Sequence, residues 1–203
     1  MAIKPILFNT EMVRAILDGR KTCTRRLVRF LPGENPQWTG YIRDGLMLYN
    51  GRNEPCIIKA PYQPGDTLYV RETWCGLPVN EAGHMRGHTI YYYKADGELR
   101  PKGWRGTWHP SIHMPKEASR IWLKVTDVRV ERLQEISAES ALAEGADKYI
   151  HTNGGLDENM TITSFIGIWN STIKKSDIDR YGWDANPYVW IIEFERCEKP
   201  EGV

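Results

Sequence analysis

Cysteine is sparse in this chain: four in 203 residues, at Cys23, Cys56, Cys75 and Cys197, with no C-x-x-C pair. That spacing argues against a dense disulfide scaffold, and a reduced, cytoplasmic setting is expected. No run of 18 apolar residues occurs, so no membrane-spanning helix is expected and a membrane is not among the expected partners. The opening "MAIKPILFNTEM" carries no apolar core and no small-residue cleavage site, and no secretory leader is expected there. Internal repeats and low-complexity tracts are absent too. Neither charge dominates: 27 basic and 26 acidic residues leave a net charge of +1. The chain as a whole is no polycation, so affinity for nucleic acid has to come from a local patch. Two histidine pairs, His84/His88 and His109/His113, have i,i+4 spacing, and Cys75 lies near the first. They sit among glycines and prolines, where that spacing does not define a helix face. Structural zinc usually brings four ligands with paired cysteines, so neither a metal nor any other cofactor is expected.

What the sequence does have is aromatic residues, with eight Trp and ten Tyr, and one dense basic stretch, "GRKTCTRR" at 19–26. Between Arg14 and Arg29 stand five arginines and one lysine, opposed only by Asp18. Arginine forks suit phosphates and carboxylates and stack on bases, so this is a candidate anion-binding surface. Its placement follows from local pattern. "KPILF" is a short strand; Thr10 is the expected N-cap of a helix with Met12, Val13, Ile16 and Leu17 on one face; Gly19 ends it. The basic stretch therefore lies on a helix exit and runs into an extended segment.

Further along, "YIRDGLMLYN" predicts a hairpin turning at Asp44-Gly45. "PYQPGDTLYVRETW" predicts a turn feeding a strand. Residues 75–116 form an expected insertion with one strand, "HTIYYYKAD". "RIWLKVTDVRVERL" is the longest strand-like run, with a bend expected at Asp127. Ser137 caps a helix over "SAESALAEGA", a third helix covers "TSFIGIWNSTIKK", and "PYVWIIEFERC" is a closing, largely apolar strand. Long strands, few helices and no βαβ rhythm predict an α+β fold: a small mixed barrel with two or three helices outside it, in one domain over 1–203.

The stretch "GRKTCTRR" resembles the G-x-K-x-x-T-x-R signature of the ASCH family, with Gly19, Lys21, Thr24 and Arg26 in register. "PGDTLYV", "ISAESALAEGA" and "YVWIIEFERC" resemble the family's later elements, in the same order. "SIHMPKEASRIWLKVTDVRVERL" is similar to the longer form found in phages and prophages. The resemblance implies a PUA-like β-barrel with a cleft lined by the signature, and RNA binding or recognition of a modified nucleoside. One branch of the family is an amidohydrolase that removes the acetyl group of 4-acetylcytidine with a Lys, a Thr and a Glu. By position these fall on Lys21, Thr24 and Glu144. This chain is roughly twice the length of that branch.

The residues themselves support several roles. A lysine among like charges gives up its proton more readily, and a neutral Lys21 beside Arg20, Arg25 and Arg26 could take a proton from Thr24. Glu144, at a helix C-terminus, is the candidate acid. Glu72 in "VRETW" is the rival carboxylate. Arg25 and Arg26 are expected to be exposed phosphate contacts, whose loss leaves stability almost unchanged. Trp74, Tyr92 and Trp108, with His113, offer ring faces among basic residues that a nucleoside or single-stranded RNA would use. The expected function is recognition of a nucleoside or RNA, with hydrolysis of an acylated cytidine as its catalytic form. A non-catalytic RNA-binding module, or a phage accessory protein with a protein partner, is the alternative.

Overall fold

The computed structural model describes residues 1–29, 46–49, 55–79, 88–97, 106–151 and 153–202. Nine strands and four helices are found there: β1 (Ile3–Leu7), α1 (Thr10–Leu17), β2 (Cys23–Leu27), β3 (Leu46–Tyr49), β4 (Pro55–Ile58), β5 (Thr67–Arg71), β6 (Trp74–Val79), β7 (His88–Tyr93), β8 (Trp122–Arg132), α2 (Ala138–Ala143), α3 (Glu158–Thr172), α4 (Ile178–Tyr181) and β9 (Tyr188–Cys197). The fold is mixed α+β. One five-stranded sheet has the order β1-β5-β8-β9-β2, and β3-β4 and β6-β7 form two-stranded ribbons. The chain divides into two compact units, Met1–Lys21 with Gly65–Lys124 and Glu195–Val203, and Thr22–Pro64 with Val125–Phe194. β8 passes from the first to the second.

In the first unit, β1 runs parallel to β5 from Ile3↔Thr67 to Leu7↔Arg71, and β5 pairs antiparallel with the start of β8. α1 is capped by Asn9, one residue earlier than the sequence suggests: its Oδ1 accepts the Met12 N–H at 2.9 Å. Asparagine outranks threonine as an N-cap, and Thr10 becomes the first helical residue. Val13, Ala15 and Ile16 are buried. The helix stops at Gly19, whose φ of +74° a side-chain-bearing residue rarely adopts. The amides of Arg20 and Lys21 then both donate to the Ala15 carbonyl, at 2.9 and 3.0 Å. The glycine thus ties the start of the basic stretch to the helix end.

In the second unit, β2 pairs antiparallel with β9, from Cys23↔Glu193 to Leu27↔Val189. The Thr22 amide donates to the Ala143 carbonyl at 2.9 Å, which fastens the strand's entry to the end of α2. Ser137 caps α2, accepting the Ser140 N–H. α3 buries Thr161, Phe165 and Trp169, spaced by four residues along one face. Phe165 and Trp169 join Leu133, Ile136, Ala141, Val189 and Ile191 in one core cluster. Each large side chain buried there contributes about 1.5–3 kcal/mol before entropic costs. Trp169 Nε1 donates to the Tyr181 carbonyl at 2.9 Å, joining α3 to α4.

The next residue, Gly182, is held tightly: a Cβ built on it would lie 2.5 Å from the Ile178 carbonyl oxygen. Gly182→Ala is therefore expected to lower stability by about 1–3 kcal/mol in urea unfolding, the usual cost of overpacking. A change within about 0.5 kcal/mol would show that α4 shifts freely.

Several expectations differ from what is observed. β3 pairs with β4, from Leu46↔Ile58 to Tyr49↔Pro55; the expected hairpin strand at 41–43 and its Asp44-Gly45 turn lie outside the described residues. The insertion contains two strands, because "WCGLPV" pairs with β7 from Trp74↔Tyr93 to Val79↔His88. α3 begins at Glu158 under an Asp157 cap, five residues before the expected start. β8 runs as one strand through Asp127, whose carboxylate accepts a hydrogen bond from Arg129 at 3.0 Å.

Candidate functional site

Burial marks out the candidate residues. Eight polar or charged residues are buried among those described, and Lys21 (3% exposed), Thr24 (4%), Arg25 (5%), Glu72 (1%) and Glu144 (5%) are five of them. Removing a charge from water costs several kcal/mol unless it is paired and hydrogen-bonded, so each needs a structural account.

In the second unit the centre is Arg25. On the pleat of β2 it shares a face with Cys23, and that face meets α2 and α3. Its Nη1 donates to Glu144 Oε1 at 3.2 Å and its Nη2 to Ser140 Oγ at 2.7 Å. Glu131 lies 4.0 Å from Nη2, and the guanidinium sits 5.7 Å from the centre of the Phe165 ring. Its Nε is buried without a hydrogen-bond partner among the described residues. Arg25 is therefore an internal ion-pair partner of Glu144, not the exposed phosphate contact its type suggests. Glu144 is the C-cap residue of α2, and the Thr22–Ala143 hydrogen bond brings that helix end to the start of β2.

Thr24 and Arg26 take the opposite face of β2. Arg26 is half-buried, and desolvation lowers its pKa from the ordinary arginine value, with the negative potential of Tyr62 and Glu144 opposing the fall. Burial raises the Tyr62 phenol, and the Arg26 charge moderates the rise. Arg26 thus belongs with Tyr62, a residue the sequence reading did not single out. Its only signal was an aromatic directly before the "QPGD" turn.

In the first unit, Lys21 follows the Gly19 turn and its Nζ lies 5.6 Å from the centre of the Phe8 ring. Arg20 is exposed and pairs with Asp18 at 3.2 Å. Glu72 belongs to a separate network. Arg120 grips it through Nε at 3.0 Å and Nη2 at 3.1 Å, and reaches Asp96 through Nη1 at 2.7 Å. The Arg120 guanidinium stacks 4.0 Å from the centre of the Tyr93 ring. Burial raises the Glu72 carboxyl, while Arg120 pulls it down. The Tyr93 phenol is pushed up to about 12, mainly by burial, and its hydroxyl donates to the Ala118 carbonyl at 2.6 Å.

The expected aromatic surface is divided by the β6–β7 pleat. Trp74 contacts Tyr91 at 5.7 Å and His109 at 5.1 Å between ring centres. Tyr92 stands opposite Cys75 on the other face of the ribbon. Trp108 is half-buried, and His113 is exposed in a single 3-10 turn, Ser111–His113. The Trp74 indole N–H is buried with no acceptor among the described residues. Among the described residues no three His, Cys, Asp or Glu side chains group as a metal site, and no helix is long and apolar enough to cross a membrane. His84 lies outside the described residues.

No protein-family model, curated protein or solved structure matches the chain.

Proposed function

We propose that this chain recognises a nucleoside or an RNA segment through the Gly19–Arg26 stretch, as a PUA-like barrel protein of the ASCH kind. The observation that carries the reading is the burial of charge on that stretch. Arg25 and Glu144 are held almost out of water as a hydrogen-bonded pair, on a strand that presents Thr24 and Arg26 on its other face. A buried ion pair is a weak source of stability compared with apolar packing. Its use here fits a strand whose polar neighbours must be held in fixed positions. Arg26, half-desolvated and within electrostatic reach of the Tyr62 phenol, supplies a planar cation with an aromatic residue in its surroundings. That combination suits a phosphate and a base together.

The test is binding to short single-stranded RNA as salt is varied. Arg26→Ala is expected to weaken binding about tenfold and to reduce the salt slope by about one contact. Wild-type binding that does not change with salt would overturn the reading.

A second reading, hydrolysis of an acylated cytidine, draws on the burial of Lys21 and Thr24. It requires Lys21 to act as a base. Lys21→Arg would then abolish release of cytidine from 4-acetylcytidine, because arginine stays charged, and would leave nucleoside binding intact. Full turnover in that variant, followed by chromatography, would remove Lys21 from the chemistry and leave recognition alone.

A further inference from the structure

Beyond the end of β2 the second unit contains a recess of about 210 Å³, lined in part by Leu27, Arg29, Ile173, Lys174, Asp177 and Tyr181. We propose that it holds a nucleoside monophosphate group, with the phosphate on Arg29 and Lys174 and the base against Tyr181, Leu27 and Ile173.

The charge arrangement carries the assignment. Several cations in this unit are engaged. Arg25 is paired with Glu144, Arg129 with three carboxylates, and Arg132 stacks 3.8 Å from the centre of the Tyr188 ring. Arg29 and Lys174, like exposed Lys59, Lys148 and Lys175, form no ion pair or ring contact among the described residues, and of these five only Arg29 and Lys174 line the recess. Two unengaged cations at one recess make a place for a dianion, because a phosphate accepts several charge-assisted hydrogen bonds at once. The carbonyls at the end of α3 do not oppose this strongly. Ser171 and Thr172 hydroxyls already donate to Ile168 and Trp169, and the Ile173 amide donates to Asn170.

The rest of the lining argues against a bare anion. Leu27 and Ile173 supply apolar floor, and the Tyr181 ring, with the Arg180 guanidinium 5.0 Å from its centre, is the aromatic surface a base would meet. Asp177 is the one carboxylate there, and Ser176 Oγ donates to its Oδ1 at 3.1 Å. It repels phosphate but accepts from the exocyclic amine of a base such as cytosine. The ligand therefore has an anionic end, a flat ring and an amine edge.

This inference takes from the proposed function only the ligand class, nucleotides, and it uses other residues. The same chemistry is offered by a free mononucleotide and by the 5′-phosphate end of an RNA. Calorimetry would compare cytidine monophosphate, cytidine and inorganic phosphate, and then a short oligocytidylate with and without a 5′-phosphate. Cytidine monophosphate is expected to bind about tenfold or more tighter than cytidine or phosphate, as one charged contact or more implies. Preference for the phosphorylated oligonucleotide over the monophosphate would assign the RNA end as the source, and the reverse the free nucleotide. The Arg29→Gln/Lys174→Gln double variant should lose that binding, with an unchanged melting temperature because both side chains are exposed. Cytidine monophosphate binding that survives in the double variant, or an absence of binding by every phosphorylated probe, overturns the inference. Loss of RNA binding in Arg26→Ala with monophosphate binding intact supports the recess as a site separate from the Gly19–Arg26 stretch. Unchanged RNA binding in Arg26→Ala, with monophosphate binding lost in the double variant, overturns the proposed function and supports the recess.

Discussion

Glu144→Ala will lower the stability of the fold by about 3–5 kcal/mol in urea unfolding, the usual cost of stranding one member of a buried ion pair. The Arg25 side chain is 1% exposed and Glu144's is 7%. Without the carboxylate, the guanidinium keeps the Ser140 hydroxyl and a carboxylate 4.0 Å away. Its Nε already has no partner among the described residues, and a carboxylate at that distance compensates only in part. Arg25→Ala should be costly for the mirror reason, contrary to what its place in a basic stretch suggests. The paired replacement Arg25→Met with Glu144→Leu separates charge from packing. It should recover most of the loss, because an apolar pair of similar volume avoids the desolvation cost. A loss below about 1 kcal/mol for Glu144→Ala would show that water reaches Arg25 easily.

The second large effect concerns Arg120. Arg120→Ala leaves the Glu72 carboxylate, 1% exposed, without its two hydrogen bonds, and is expected to cost about 3–5 kcal/mol near neutral pH. The cost depends on pH with a definite sign. Burial raises the Glu72 carboxyl, Arg120 pulls it down through hydrogen bonding and charge, and Asp96 pushes it up again. A carboxyl with a folded pKa above its unfolded one binds its proton more tightly when folded. Its contribution to stability is fully present below the unfolded value of about 4.3 and is lost as pH rises through the folded value. Removing Arg120 takes away the downward pull and raises the folded value further. The deficit of Arg120→Ala relative to wild type should thus be smallest near about pH 4 and grow toward neutrality. A deficit independent of pH would mean that the stacking of Arg120 on Tyr93, and not its charge, is what stabilises this region.

Elements with a strong local signal were legible in the sequence. Apolar spacing gave α1, Ser137 marked the start of α2, and the apolar runs gave β8 and β9. Where local signal is weak, reading failed. Gly76 and Pro78 disguise β6, whose pairing with β7 is set by a partner strand and not by its own propensity. α4 is four residues long, too short for a helical period. The Asn9 cap was missed by one position because two good capping types stand side by side. The site was legible as a set of residues and illegible as a set of contacts. Arginine in a basic run reads as surface, and the partner that takes Arg25 inside stands 119 positions later. Arg120, which holds Glu72, has no local signature, and Tyr62, which flanks Arg26, has only its place before a turn.

The two compact units are interleaved along the chain, and this has a consequence for how the protein is made. Residues 22–64 of the second unit wait for 125–194, and residues 1–21 and 65–124 of the first wait for 195–203. During synthesis the first unit opens before the second and closes after it. β2 emerges early, carrying Arg25, and its partners α2 and β9 follow only after more than a hundred further residues. Closing so wide a loop is entropically slow, and contacts of large sequence separation form late. An early chain therefore carries Arg25 and Arg26 solvated, which keeps that segment soluble until the carboxylate that takes Arg25 inside has been synthesised.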